Sequence, residues 1–468
     1  MAMTINKFPS NKSFIKQLWR LTAPILITQL AQIGMATIDT VMSGRVGTLD
    51  LAAVAIGSSL WTPIWLFVGG VMVAFTPQVA TLMGAGKKDQ VGEIIGSAVM
   101  LGIALGIVTG FLLFTFGPSL SYLLTDPTSA QLMREYIQAV SFGLPAAGAF
   151  LALRFHAEAL NEPVAVTRIM LMGLVLNIPV NAVFIYGWFG LEPMGGAGCG
   201  YGTAIICYFL FFAMLRDCYK NRLPEHQKRL SIFFKVQFEP VKRLMLLGLP
   251  IGAAIFFEVS FFSVIALFLT PLGTVVVAGH QVAINVTSLL FMIPLSVGMA
   301  LTVMVGQQIG RGELVLASRV SWLGVRVNLA LATVNASCIY LLSPYIAQFY
   351  SNDLEVIAIG TTLLAFAALY QISDAIQIAA AGALRGYQDT MIVMLITFCA
   401  YWLLGLGMGY YLAFEAPEPL GAKGFWLGII IGLTASAVML SYRLFSVSKK
   451  TLNSGGISRQ VGHNQTSS

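Results

Sequence analysis

The sequence predicts an all-α polytopic membrane protein of twelve transmembrane helices, arranged as two six-helix halves. Three observations carry this: an apolar composition, a one-sided distribution of basic residues, and an internal repeat. Of the 468 residues, 57% are hydrophobic and only 10% are charged, against about 25% charged in a soluble globular domain. Mean hydropathy is +0.81. So few polar groups cannot cover a water-facing surface, so lipid is the solvent for most of the chain. A span needs roughly 20 apolar residues, and the length accommodates a dozen. The 46 glycines fit the same setting, because small residues let helices approach where no hydrophobic drive acts between them.

Windows of about 19 residues place spans near 18–42, 52–78, 94–116, 134–157, 166–189, 197–216, 244–269, 277–303, 317–343, 356–383, 391–413 and 424–446. Turn chemistry marks the gaps, as in Asp126-Pro127, Asn161-Glu162-Pro163 and Gly310-Arg311-Gly312. Residues before the first span carry Lys7, Lys12, Lys16 and Arg20 like a signal peptide. The apolar run that follows is longer than a signal peptide's core, and it reads as an uncleaved first span. The expected organisation is an N-terminal lobe over 1–216, a polar linker over 217–243, a C-terminal lobe over 244–446, and a disordered tail over 447–468.

The net charge of +7 is a matter of orientation, not of nucleic-acid binding. With twelve spans, 24 of the 27 basic residues fall on the face that holds both termini; only Arg45, Arg134 and Lys423 fall on the other. Basic loops stay in the cytoplasm during insertion, so both termini are expected there. The five cysteines are scattered without a C-x-x-C, and the four histidines form no metal-binding pair. No disulfide framework and no resident cofactor are expected.

The two halves match at a nearly fixed step. Leu21-Thr-Ala-Pro24-Ile25 aligns with Leu247-Gly-Leu-Pro250-Ile251, and Thr76–Gly86 with Thr302–Gly312, both 226 residues apart. Ala159-Leu160 aligns with Ala383-Leu384, and Gly196-Ala197 with Gly421-Ala422, at 224 and 225. Six spans per half give both halves one orientation, related by a pseudo-two-fold axis along the membrane normal. Transporters whose substrate passes between two lobes are built this way.

Three acids stand inside apolar spans: Asp39, Glu258 and Asp374. A central acid costs roughly 2.5–3.5 kcal/mol on insertion scales, and such a group is expected to face a cavity and to hold a proton or a cation in turn. Asp39 lies near its span end with Arg45 within reach, so a surface ion pair is its competing reading. Glu258 sits among Phe256, Phe257, Phe261 and Phe262, where the competing reading is a protonated structural hydrogen bond. Asp374 shares a helix face with Tyr370, four residues earlier, and Gln371 and Gln377 extend a polar stripe. Asn177 and Asn181 stand four apart around Pro179; amide oxygens and a proline-freed carbonyl suit a hard monovalent cation, while interhelical bridging is the plainer alternative.

Asp39-Thr-Val-Met-Ser-Gly44, Gly47, the prolines opening spans one and seven, and the Gly-x-Gly after spans two and eight together resemble the multidrug and toxic compound extrusion family over all twelve spans. The resemblance implies a two-lobed bundle in a bacterial inner membrane. It implies export of organic cations and cationic or zwitterionic drugs and dyes in exchange for Na⁺ or H⁺, by a protein sufficient as a monomer. By the same resemblance, Glu258 and Asp374, with Tyr370 nearby, form a second-lobe site for a monovalent cation, while Asp39, Asn177 and Asn181 line the first-lobe cavity. Two other readings compete. A flippase for lipid-linked cargo would place basic rather than acidic residues in the cavity. A membrane-embedded enzyme would need a loop dense in His, Asp and Arg, and no loop supplies one.

Overall fold

A computed structural model describes residues 10–123 and 126–465, with side chains over 10–122 and 126–452. Among these residues every regular element is helical. In chain order the α-helices are α1 Asn11–Val46, α2 Thr48–Val73, α3 Phe75–Gly84, α4 Lys88–Phe116, α5 Pro127–Ser141, α6 Leu144–Ala159, α7 Pro163–Ile185 and α8 Gly198–Asn221. After the connection come α9 Phe238–Leu269, α10 Thr274–Gly310, α11 Leu314–Tyr350, α12 Leu354–Gly386, α13 Thr390–Phe398, α14 Gly407–Tyr410 and α15 Ala422–Gln465. Only helices satisfy their own backbone groups locally in lipid. Among the described residues, eleven helical segments are long and apolar enough to span a membrane, and α5 with α6, bent by 45°, makes a twelfth if the pair counts as one span.

That bend falls in the span expected as continuous over 134–157. Pro145 sits in the first turn of α6, where its missing N–H costs nothing. Gly143, just before it, lies so close to α8 that a Cβ would stand 2.8 Å from the Ala204 Cα. The tail also differs from expectation. No proline occurs between Ala422 and Gln465, and α15 continues as helix to Gln465 rather than ending near 447; residues 466–468 lie outside the described residues.

The chain divides into two compact units: one of Ile27–Val264 with Gln388–Cys399, the other of Met1–Leu26 in its described part, Ile265–Tyr387 and Ala400–Ser468. The dividing point in α1 follows Pro24 by two residues.

Within the first unit, helices touch backbone to backbone at glycines. A Cβ on Gly102 of α4 would strike the carbonyl of Gly148 in α6, and one on Gly70 of α2 would come within 2.6 Å of the Gly252 Cα in α9. α6 is buried along almost its whole length. The connection 217–243, expected to be a solvated linker, instead lies against α4. Phe233 is 2% exposed, and Ser97 Oγ accepts a hydrogen bond from the Gln237 N–H at 2.9 Å.

In the second unit, Thr302 of α10 donates to the Gly382 carbonyl of α12 at 2.8 Å. After Phe398 the helix widens to π geometry over Cys399–Leu406 and again over Tyr411–Glu415. Gly424, Gly428 and Gly432 of α15 meet this widened stretch; a Cβ on Gly428 would lie 2.5 Å from the Gly405 carbonyl and from the Gly409 Cα. Gly407, by contrast, has open space at its Cβ position. Gly428→Ala is therefore expected to destabilise the folded protein by about 1–3 kcal/mol through overpacking. Gly407→Ala should be neutral or stabilise by up to about 1 kcal/mol. Thermal unfolding midpoints of the two purified variants check the contrast, and equal midpoints would contradict it.

Candidate functional site

The first unit gathers the polar residues of three helices around one carboxylate. Asp39 of α1 accepts on Oδ1 from Asn181 Nδ2 at 2.6 Å and from Asn177 Nδ2 at 3.1 Å, both on α7. Its Oδ2 accepts from Thr203 Oγ1 of α8 at 3.1 Å. The four-residue spacing puts both amides on one face. Gly202 lets α8 close in, since a Cβ there would strike Asn181 Oδ1. Below the carboxylate, Ser43 Oγ donates to the Asp39 carbonyl at 2.8 Å and touches Cys199 Sγ at 3.1 Å.

Asp39 is thus held by neutral donors. None of the ion pairs among the described residues joins it to Arg45. The two asparagines are buried, while Asp39 keeps partial exposure. Asn181 Oδ1 is buried without a hydrogen-bond partner. Two carboxylate oxygens and a threonine hydroxyl therefore meet here, with the unpartnered Asn181 oxygen turned toward Gly202, a set of hard oxygen donors of low total charge.

The sequence reading brought Asp39, Asn177 and Asn181 to one cavity wall, and the structure places them in direct contact. It missed Thr203, which stands in an apolar run without any periodic polar partner.

It also missed a charge pair in α6. Arg154 Nε donates to Glu158 at 2.8 Å, both side chains being buried. The remaining guanidinium nitrogens donate to Gln29 at 2.6 Å and Gln32 at 3.5 Å on α1. The signal was present: opposite charges four apart share a helix face.

In the second unit, α12 carries the polar stripe expected from sequence. Tyr370, Gln371, Asp374 and Gln377 are all buried. Gln377 Nε2 donates to Asp374 Oδ1 at 3.3 Å, and its Oε1 accepts from Ser436 Oγ of α15 at 3.4 Å. Asn328 of α11 donates to the Ala375 carbonyl at 2.8 Å. Both amide atoms of Gln371 are buried without a partner. Tyr370 lies 6.0 Å from the Trp426 ring, and His280 of α10 meets the same ring edge-on at 5.7 Å. His280 and Trp426 belong to this buried set and were not singled out from sequence.

Glu258 belongs to the first unit, on α9, and is half-buried; on the same helix, Phe257 lies 5.0 Å from Phe398 and Phe261 lies 5.4 Å from Phe262.

The contrast between Asp39 and Glu158 has a measurable consequence. Arg154→Met leaves Glu158 a buried carboxylate without its counter-charge, expected to cost about 3–5 kcal/mol. The double change Arg154→Met with Glu158→Leu should recover most of that loss. Unfolding midpoints of the purified single and double variants check this; a double variant no more stable than the single would contradict it.

The family model MatE matches twice, over residues 24–183 and 250–411, so the two matches begin one repeat step apart. Multidrug resistance protein NorM of Photobacterium profundum is 42% identical over 431 residues, covering 92% of this chain and 94% of the relative. Multidrug resistance protein PmpM of Pseudomonas aeruginosa is 41% identical over 433 residues, covering 92% and 91%. Among solved structures, the eukaryotic MATE transporter AtDTX14 superimposes with a TM-score of 0.83 at 19% identity, covering 95% of this chain and 99% of that one. The chain belongs to the multidrug and toxic compound extrusion family of membrane transporters.

Proposed function

We propose that this chain is a secondary multidrug exporter that moves organic cations and cationic or zwitterionic drugs across the membrane in exchange for Na⁺ or H⁺. The observation that carries the reading is the Asp39 carboxylate, held by Asn177, Asn181 and Thr203 with no basic partner among the described residues. A fixed counter-charge would make such a carboxylate structural. Neutral donors leave its charge to be met by an exchangeable ion, and turning one amide by 180° presents an oxygen instead of an N–H. Asp374, buried beside Gln377, offers the same chemistry. The names of the relatives support a drug as the other occupant.

In this reading Glu258, Asp374 and Tyr370 are residues of the C-terminal lobe, 244–446, that couple transport to a monovalent cation. Asp39, Asn177 and Asn181 serve the N-terminal lobe, 1–216. The lobes alternate access around these carboxylates, as inverted demands of drug and coupling ion require that one leave before the other is held. Na⁺ is favoured over H⁺ by the oxygen donors around Asp39. The protein works as a monomer in a bacterial inner membrane, with both termini cytoplasmic, as the basic residues direct.

Two measurements test this. Ethidium efflux is followed in everted vesicles under an imposed Na⁺ gradient or an imposed pH gradient. Efflux is expected with the Na⁺ gradient, and efflux indifferent to both gradients would end the antiport reading. Glu258→Gln and Asp374→Asn are each expected to leave the protein in the membrane and to reduce efflux at least about tenfold, the change that about 1.4 kcal/mol of lost coupling produces. Wild-type efflux from both variants would remove these carboxylates from the coupling site.

A further inference from the structure

The connection between α8 and α9 carries features that a transport cycle does not use. It carries two short 3₁₀ turns, Glu225–Gln227 and Leu230–Phe234, and is tied to α4. Gln227 Nε2 donates to the Asp89 carbonyl at 3.0 Å, Phe233 is buried, and the Gln237 N–H donates to Ser97 Oγ. Gly96 makes room for it, because a Cβ there would collide with the Ile232 carbonyl and stand 2.6 Å from that of Lys235. The last charged residue of α4 is Glu93. Gly96 and Ser97 lie within about one turn beyond it, roughly 5 Å along the axis, where the apolar run begins. The connection is therefore held where the charged start of α4 gives way to its apolar run.

At that level it turns two kinds of side chain outward. Leu230, Phe234 and Phe238 are 61%, 68% and 76% exposed, although they lie outside the apolar run of any span or at its first residue. Arg229, Lys235 and Lys242 are exposed between and beside them. None of these three cations takes part in the ion pairs found among the described residues. The neighbouring cations differ: Arg222 is buried against Asp217 and Glu162, and Lys228 pairs with Glu225. Aromatic and aliphatic side chains interleaved with unpaired cations fit a surface whose headgroups are anionic and whose interior is apolar.

We propose that residues 228–242 form an interfacial strap that binds anionic phospholipid, with Arg229, Lys235 and Lys242 on the headgroups and Leu230, Phe234 and Phe238 in the acyl boundary. The strap fixes the depth of α4 and the first turn of α9 relative to the bilayer surface. Its charge complements the lipid and needs no protein partner.

The test replaces Phe234 with the photo-crosslinking residue p-benzoylphenylalanine in the full chain. The protein is reconstituted in phosphatidylcholine vesicles containing about a third phosphatidylglycerol, a composition that gives an anionic surface. Mass spectrometry after illumination is expected to find lipid adducts in which phosphatidylglycerol exceeds its share of the bilayer several-fold. The triple variant Arg229→Glu, Lys235→Glu and Lys242→Glu should bring that excess back to the bulk ratio, and its ethidium efflux reports that it is folded. Crosslinks confined to the protein would show a strap standing clear of the bilayer and overturn the proposal. So would adducts of the two lipids in proportion to their abundance, or an excess that survives in a folded triple variant.

Discussion

Inside a bilayer no water is available to satisfy a polar group, and every donor, acceptor and charge must be met by the chain itself or by a ligand. Each level of this structure answers that demand. Helices close their own backbone bonds. Hydroxyls on the spans return to a carbonyl of the preceding turn, as Thr37 does to Ile33 and Thr397 to Val393. Glycines bring the helices into backbone contact, so that dispersion forces between closely matched surfaces replace the hydrophobic drive that lipid removes. Gly102 against Gly148 and Gly428 against Gly405 and Gly409 are the clearest cases.

Charges divide under the same demand into two kinds. Arg154 and Glu158 neutralise each other at one turn's spacing, with Gln29 and Gln32 filling the remaining guanidinium donors. Such a pair is complete and has no need of a third party. Asp39 and Asp374 are met by amides and a hydroxyl alone. Hydrogen bonds from neutral donors soften the loss of hydration but leave the net charge in place. Coulomb attraction for a cation is strong at the reduced dielectric of a protein interior. In the proposed reading, the same loss of water that makes these carboxylates costly makes them selective for positive occupants, and this links the fold to transport.

Much of this architecture was legible in the sequence. Span positions followed from hydropathy because the bilayer imposes one length scale on every helix. The repeat was visible because Pro24 and Pro250, and the Gly-x-Gly turns after the second and eighth spans, sit at backbone positions that tolerate few residue types. The contact of Asp39 with Asn177 and Asn181 was foreshadowed by a charge in an apolar run and by amides at helical spacing. Illegible features were those decided by tertiary contact. Span four bends beside Pro145, where Gly143 packs on α8, a contact that local pattern cannot show. Thr203 joins Asp39 only because Gly202 admits α8 to α7. The connection after α8 looked solvated because its basic residues dominate, yet Phe233 and the Gly92–Gly96 face of α4 seat it against the bundle. Glu158 escaped notice because the expected span ended at 157, one residue before it.

The central claim is that drug and coupling ion occupy these carboxylates in turn. Its most direct test is equilibrium binding of ethidium to the purified protein, by fluorescence anisotropy, over a series of Na⁺ concentrations at constant ionic strength and over a series of pH values. The account predicts that the apparent Kd rises in proportion to the concentration of the coupling ion while the number of sites stays fixed. An affinity that does not change with either Na⁺ or H⁺ would contradict it.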